Sequence, residues 1–203
     1  MLFVISGAAA AGKTTISRAV AQRQTDLVLL EEDKLPASSG EERLINLIHW
    51  IDEALSIEGD GKDVVFGTQS PLGEVLASPR AVELEGIAPC LLDVHDFARL
   101  DRWVQRGVHP DWPIGMDHFC WASFHRLHAR DPQFEQRVML DRADVGSVWT
   151  RWTSWAARDP RWEVFILDTT DMDLESAIQR VLAWIEHVRV EGVPLMRKKE
   201  WWK

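Results

Sequence analysis

A glycine-rich segment near the start of the chain has the residue types and spacing of a phosphate-binding loop. Gly7 and Gly12, with four alanines between them, precede Lys13 and Thr14, which fits the pattern G-x-x-x-x-G-K-[ST]. The small side chains let backbone N–H groups approach phosphate oxygens, and the N-terminus of a following helix adds positive potential. Lys13 can reach the terminal phosphates of a nucleoside triphosphate, and the Thr14 hydroxyl can ligate Mg²⁺. The predicted nucleotide-binding residues are Gly7, Ala8, Ala9, Ala10, Ala11, Gly12, Lys13, Thr14 and Thr15, with Thr14 as the metal ligand.

A pair of arginines, Arg102 and Arg106, forms a second candidate site within a segment of helical spacing over Phe97–Arg106. Four residues apart on a helix, their guanidinium groups share one face. Such planar cations bind phosphate oxygens and offset the charge that develops during phosphoryl transfer. The alternative is a solvated pair balanced by Asp96 and Asp101.

Together, these motifs resemble those of the small P-loop kinases, the nucleoside-monophosphate-kinase-like group that includes gluconate, shikimate, chloramphenicol and nucleotide kinases. The resemblance spans residues 1–189 and includes Leu167–Thr170, which is similar to the family's last strand and the turn bordering the adenine. It implies ATP and Mg²⁺ as cofactors, with one arginine turned to the nucleotide and the other to the transferred phosphoryl group. It also implies a kinase domain over residues 1–191, a lid over about residues 106–130 that excludes water, and a basic tail over 192–203.

Acidic residues follow the second predicted strand, at Glu31–Asp33. In the related small-molecule kinases an aspartate at this place binds the acceptor hydroxyl or acts as a base, which makes Asp33 the candidate here. An acid that orients the hydroxyl or accepts its proton is a common requirement of phosphoryl transfer. The predicted catalytic residues are therefore Lys13, Asp33, Arg102 and Arg106. The alternative is a solvated acidic loop or a helix cap.

Thr68 and Gln69 close the third predicted strand, where the related kinases often carry Asp-Gly and this chain has Gly-Thr. The departure leaves Asp33 or Asp93 as the acid that supports Mg²⁺. The neutral side chains of Thr68 and Gln69 can instead hydrogen-bond a substrate, or they serve only the geometry of a turn.

Aromatic and basic residues follow the predicted lid loop. Trp121 and His125 share a helix face that can stack a planar acceptor such as a nucleobase, and Arg126 can reach an acceptor phosphate. The alternative is that the tryptophan packs in the core and that the arginine pairs with nearby acids. Their spacing does not match a metal site.

Short apolar runs alternate with segments of helical periodicity along the chain. The strands are predicted at Leu2–Ile5, Leu27–Leu30, Val64–Phe66, Ile87–Val94 and Val164–Leu167. The helices are predicted at Lys13–Gln24, Glu41–Ile57, Leu72–Ala77, Phe97–Arg106, His118–Arg130, Val148–Ala157 and Leu174–Val188. Asp117 is the predicted N-cap of the fifth helix, and Pro89 argues that the start of the fourth strand lies outside the ladder. This order predicts an α/β fold of the P-loop NTPase type: a five-stranded parallel sheet flanked by helices, with a short lid and ligands at the carboxyl ends of the strands.

The composition excludes several classes of protein. The chain has 203 residues, 46% hydrophobic and 27% charged, which is ordinary for a globular protein and excludes a disordered chain. Cys90 and Cys120 are too few for a disulfide scaffold and are expected to be buried thiols. Because no apolar run approaches the length of a membrane helix and no signal peptide is evident, we expect a cytoplasmic protein without a membrane partner.

Three functions remain open. The first is an ATP-dependent kinase that phosphorylates a hydroxyl or phosphate of a small molecule or nucleotide. The second is a kinase that acts on a polynucleotide end or on a base in DNA or RNA, against which the net charge of −9 argues. The third is a non-catalytic nucleotide sensor. The acceptor is not identified by the sequence, and a homodimer stays open.

Overall fold

The computed structural model describes residues 1–107, 114–141, 145–193, 195 and 201–202. The strands are β1 (Leu2–Ser6), β2 (Leu27–Glu31), β3 (Asp63–Thr68), β4 (Ile87–Asp93) and β5 (Phe165–Asp168). The helices are α1 (Lys13–Arg23), α2 (Gly40–Gly59), α3 (Leu72–Ala77), α4 (Asp96–Gln105), α5 (Met116–His128), α6 (Arg137–Leu140) and α7 (Leu174–Glu191). Short 3₁₀ turns occupy Glu32–Lys34, Ala81–Glu83 and Trp149–Arg151. None of the described helices is long and apolar enough to cross a membrane.

The five strands form one parallel sheet in the order β2-β3-β1-β4-β5. The strand β1 is central, and its Leu2 pairs with Val64 on one side and with Ile87 on the other. Since all the strands run the same way, the loop after β1 and the residues that end the other strands meet at one edge. The fold class predicted from the sequence is confirmed.

The alternation of β1 side chains divides the core into two layers. Phe3 and Ile5 pack with the apolar faces of α1 and α7 on one side of the sheet. Leu2 and Val4 pack on the other side with α2, α3 and a cluster of tryptophans. Burial on both faces explains why the strands have continuous apolar runs.

Pro89 lies inside the ladder of β4, so the prediction that placed the start of this strand outside was wrong. Leu2 donates to the carbonyl of Gly86, whereas Asp93 accepts from Thr169 beyond β5. Alternate residues of a strand face the same neighbour, so Pro89 faces β5, where pairing begins only at Cys90. The missing N–H of the proline therefore costs the sheet no hydrogen bond.

Three local predictions about the second half of the chain were also wrong. Trp149–Arg151 is a 3₁₀ turn and not part of a long helix; the segment is held against α3, where the Val148 backbone donates to the Ala77 carbonyl at 2.7 Å and the Trp152 indole donates to the Gly73 carbonyl at 2.8 Å. The N-cap of α5 is Gly115, and Asp117 lies in its first turn. Cys120 is exposed, whereas Cys90 is buried as expected.

The predicted lid and tail fall partly outside the described residues, which omit 108–113, 142–144, 194, 196–200 and 203. Leu195 and Trp201 of the tail are described, and both side chains are buried. Trp201 packs edge-on against Trp155 with 6.1 Å between ring centroids, so these tail residues contribute to the tryptophan layer.

Candidate nucleotide-binding site and acceptor cleft

The loop between β1 and α1 has the backbone of a phosphate cradle. Ala10 and Gly12 take positive φ angles of 62° and 98°, so the chain turns tightly before the first turn of α1. A Cβ atom at Gly7 would lie 2.7 Å from the carbonyl oxygen of Leu92, which leaves space for glycine alone. The N–H groups of the first turn of an α-helix have no partner within the helix and suit an anion.

Lys13 is buried at the start of α1 and turns back onto its own loop. Its Nζ donates to the Ala8 carbonyl at 3.0 Å. Burial lowers the pKa of Lys13 to about 8, opposed by the nearby carboxylates of Glu32 and Asp33. Phosphate oxygens next to this ammonium would stabilise its charged form.

Thr14 and Asp33 bring a hydroxyl and a carboxylate together beside the loop, with 3.5 Å between Thr14 Oγ1 and Asp33 Oδ2. Oxygen ligands of this kind, completed by phosphate oxygens and water, fit Mg²⁺. The described residues contain no cluster of three or more His, Cys, Asp or Glu that could hold a metal alone. The second acid considered from the sequence, Asp93, instead pairs with Arg126 Nε at 2.8 Å.

The arginines of α4 take separate positions. Arg102 donates to the Thr169 carbonyl at 2.6 Å and lines, with Thr15, a depression of about 260 Å³ beside the last strand. Arg106 lines the cleft next to Lys13, whose pKa its charge lowers further. The sequence did not single out Arg99, whose side chain is buried and donates to Asp96 Oδ1 at 3.0 Å.

A cleft of about 530 Å³ joins the loop to the ends of β2 and β3. It is lined by the loop and by acidic, basic and apolar residues, namely Ala9, Ala10, Gly12, Lys13, Thr14, Glu32, Asp33, Leu35, Pro36, Ala37, Arg43, Gln69 and Arg106. Thr68 does not line the cleft, because its buried hydroxyl donates to Glu32 Oε2 at 3.0 Å. The backbone N–H of Gln69 makes a short hydrogen bond to the same oxygen.

Arg43 and Glu74 were not predicted as members of the site. The Arg43 guanidinium donates two hydrogen bonds of 2.6 Å to the fully buried Glu74 carboxylate and a third to the Ser70 hydroxyl. The sequence does show that Arg43, four residues before Leu47, is a charged residue on the otherwise apolar face of α2. Its partner, 31 residues away, is defined only by the packing of α2 on α3.

The three residues predicted on α5 lie behind the cleft. The Trp121 ring lies 5.8 Å from the Arg43 guanidinium and packs edge-on against His125. His125 is buried, and burial together with the charges of Lys13 and Arg43 lowers its pKa to about 3. Arg126 is held by Asp93 and by the Val94 carbonyl. None of the three lines the cleft, and α5 thus supports it from behind.

A different cleft, of about 490 Å³, lies at the amino-terminal end of β5. Its lining includes Phe165, Trp184 and Val193. It contains no part of the glycine-rich loop and lies away from the edge where the strands end.

The fold is similar to that of several solved kinases. A sugar kinase from Janibacter sp. matches with a TM-score of 0.55 at 16% identity, over 91% of this chain and 94% of that one. A gluconokinase from Sinorhizobium meliloti matches with a TM-score of 0.54 at 14% identity, over 93% of both chains. A deoxyadenosine kinase from M. mycoides matches with a TM-score of 0.50 at 12% identity, over 92% and 99%. No protein-family model and no curated protein matches the sequence.

These likenesses extend over nearly the whole chain, although few residues are identical. The resemblance inferred from the sequence is thereby confirmed at the level of the fold: the chain folds as the P-loop small-molecule kinases do.

Proposed function

We propose that the protein is an ATP-dependent kinase that transfers the γ-phosphoryl group of ATP to a hydroxyl group of a small molecule. The observation that carries the proposal is that Lys13, Asp33 and Arg106 line one cleft, although they follow three different strands. A phosphate-binding lysine, an acid and an arginine are the groups that phosphoryl transfer from a nucleotide requires.

In the proposed reaction, the acceptor oxygen forms a bond to the γ-phosphorus while the bond from that phosphorus to the bridging oxygen of ADP breaks. Asp33 orients the acceptor hydroxyl and takes its proton. Lys13 leaves the Ala8 carbonyl and neutralises phosphate oxygens, while Arg106 binds the transferring group. Arg102, beside Thr169, contacts the nucleotide on the far side of the loop. ADP and the phosphorylated acceptor are the products.

Thr14, through its hydroxyl, and Asp33, through one carboxylate oxygen, would hold Mg²⁺, since these are the hard oxygen ligands that this ion prefers; the other oxygen of Asp33 is left for the acceptor hydroxyl. When bound, the ion supplies neutralisation of phosphate charge. The remaining work falls to the chain: the loop amides fix the phosphates, and closure of the lid excludes water that would otherwise hydrolyse ATP.

The test is transfer of label from γ-labelled ATP to a panel of nucleosides, nucleoside monophosphates, sugars, hydroxylated antibiotics and oligonucleotides. We expect label in one acceptor class for the unmodified protein and none for Lys13→Ala. Lys62→Ala, at an exposed lysine before β3, is the matched control and retains full transfer.

The outcomes separate the three functions. Label on oligonucleotides alone supports the polynucleotide kinase, and ATP binding without transfer or hydrolysis supports the sensor. Unchanged transfer in Lys13→Ala contradicts the assignment of the loop.

A further inference from the structure

We propose that the phosphoryl acceptor is a neutral or positively charged hydroxyl compound, such as a polyol, a sugar or an amino alcohol, and not one with a carboxylate or phosphate group. This inference rests on the proposed function and concerns the half of the cleft beyond the glycine-rich loop. It follows from the charges of the side chains that line this half.

The cation closest to the acceptor half is already neutralised. Arg43 makes two hydrogen bonds of 2.6 Å to Glu74, a carboxylate with no exposed side-chain surface, and its Nη1 lies 3.8 Å from Glu32 Oε1. A buried arginine between two carboxylates cannot move to bind an anionic substrate without leaving a buried charge unpaired. The group Glu32–Arg43–Glu74 thus carries a net charge of −1.

Glu32 is the side chain of the cleft that can accept a hydrogen bond from a ligand. It is 6% exposed and lines the cleft, and its Oε2 accepts from the Thr68 hydroxyl and the Gln69 backbone. Its Oε1 accepts no hydrogen bond from any described residue and has almost no exposed surface, with Arg43 Nη1 at 3.8 Å. A buried carboxylate oxygen that accepts no hydrogen bond is unusual, and a small turn of the side chain toward the cleft would let a hydroxyl or ammonium group of a ligand donate to it.

Asp33 lines the same cleft next to Thr14, where Mg²⁺ would offset its charge, so the uncompensated carboxylate of the acceptor half is that of Glu32. The other cations that line the cleft, Lys13 and Arg106, lie at the loop, where the phosphates of the nucleotide use them. Arg99 and Arg126 are held by Asp96 and Asp93. Within the described part of the chain, an anionic group on the acceptor would therefore meet like charges without an available cation.

The opposite wall is apolar, since Leu35, Pro36 and Ala37 line it. Carboxylates on one side and hydrocarbon on the other fit a molecule with hydroxyl groups along one face and C–H groups along the other. Polyols and sugars have this arrangement.

The experiment compares acceptors that share one carbon skeleton. Glucitol, glucamine and gluconate differ only at the first carbon and are neutral, cationic and anionic at pH 7. Glycerol against glycerate, which differ by the same exchange of a hydroxymethyl group for a carboxylate, makes a second matched set. Transfer from γ-labelled ATP is measured for each, with Lys13→Ala as background.

We expect the best acceptor to be neutral or cationic, with kcat/KM at least tenfold above that of its anionic counterpart. An anionic compound that equals or exceeds its counterparts overturns this inference and leaves the kinase proposal intact. Background levels of transfer to every compound contradict the kinase proposal and this inference with it.

Substitution of Glu32 tests whether its negative charge causes the preference for neutral over anionic acceptors. Glu32→Gln keeps an oxygen for Thr68 but removes one negative charge, so the preference for neutral over anionic acceptors should fall by about tenfold. Glu31→Gln removes the same charge one residue earlier, where the side chain pairs with Arg18 away from the cleft, and leaves the preference unchanged. Equal effects of the two substitutions, at unchanged melting temperature, would contradict a specific role of Glu32.

Discussion

Raising the pH above 8 is expected to weaken nucleotide binding, because Lys13 then loses its charge in the free protein. Burial lowers the pKa of this lysine to about 8, and phosphates held against it would restore the charged form. Below pH 8 the ammonium group is already present. Above pH 8 the neutral amine of Lys13 must take up a proton when the nucleotide binds, and the free energy of this protonation reduces the free energy of binding.

The size of the effect follows from the shifted pKa. With a pKa of about 8, Lys13 is about 90% charged at pH 7 and about 10% charged at pH 9. The dissociation constant of ATP should therefore rise about tenfold between these two values, equivalent to about 1.4 kcal/mol. Binding at pH 9 should also take up close to one proton per nucleotide.

Titration calorimetry in two buffers of different ionisation enthalpy measures both quantities. The matched control is Lys13→Arg, whose guanidinium stays charged throughout, so that its affinity, although lower, should not vary with pH over this range. A dissociation constant of the unmodified protein that is constant from pH 7 to pH 9 would refute the reasoning. An equal rise of the dissociation constant between pH 7 and pH 9 in Lys13→Arg would also refute it.

Three further predictions concern the arginines and the core. Arg106→Ala should lower kcat roughly a hundredfold or more with little change in ATP affinity, whereas Arg102→Ala should mainly weaken ATP binding; steady-state kinetics and equilibrium binding distinguish the two. Gly73→Ala places a Cβ 2.5 Å from an indole carbon and should lower the free energy of unfolding by about 1–3 kcal/mol in urea, while Gly59→Ala, with nothing within 4 Å, should not lower it. Burial lowers the pKa of His128 from 6.5 to about 4, so the unfolded chain takes up a proton first on acidification. Burial lowers the pKa of His125 to about 3, so each of these two histidines should remove roughly 2 kcal/mol of stability between pH 7 and pH 5, and His128→Leu should show about half of the loss of the unmodified protein.

The glycine-rich loop was predictable from sequence because its geometry is local. Its turn depends on small residues at fixed spacing and on the change from strand to helix, both of which lie within about fifteen residues. The sheet was predictable because strands buried on both faces leave continuous apolar runs.

The acceptor half of the cleft was not predictable in the same way. Arg43 pairs with Glu74 because α2 packs beside α3, and no local pattern reports a contact between residues 31 positions apart. The three-residue spacing of Trp149, Trp152 and Trp155 favours a helix, but the segment is instead held by contacts with α3, among them the hydrogen bond from Trp152 to Gly73, 79 residues away. Local propensity is a weak guide where single large side chains bind distant backbone.

The strand order has a consequence for how ligands approach. Glu32 and Asp33 follow β2 and Arg106 follows β4, and all three line the cleft, so the loop after β1 lies between a negative and a positive part of its wall. Oppositely charged walls set up a field across the cleft that turns a dipolar molecule before it makes any contact. Because dissolved ions screen such a field beyond about 8 Å at physiological ionic strength, added salt should slow the capture of substrates more than it speeds their release.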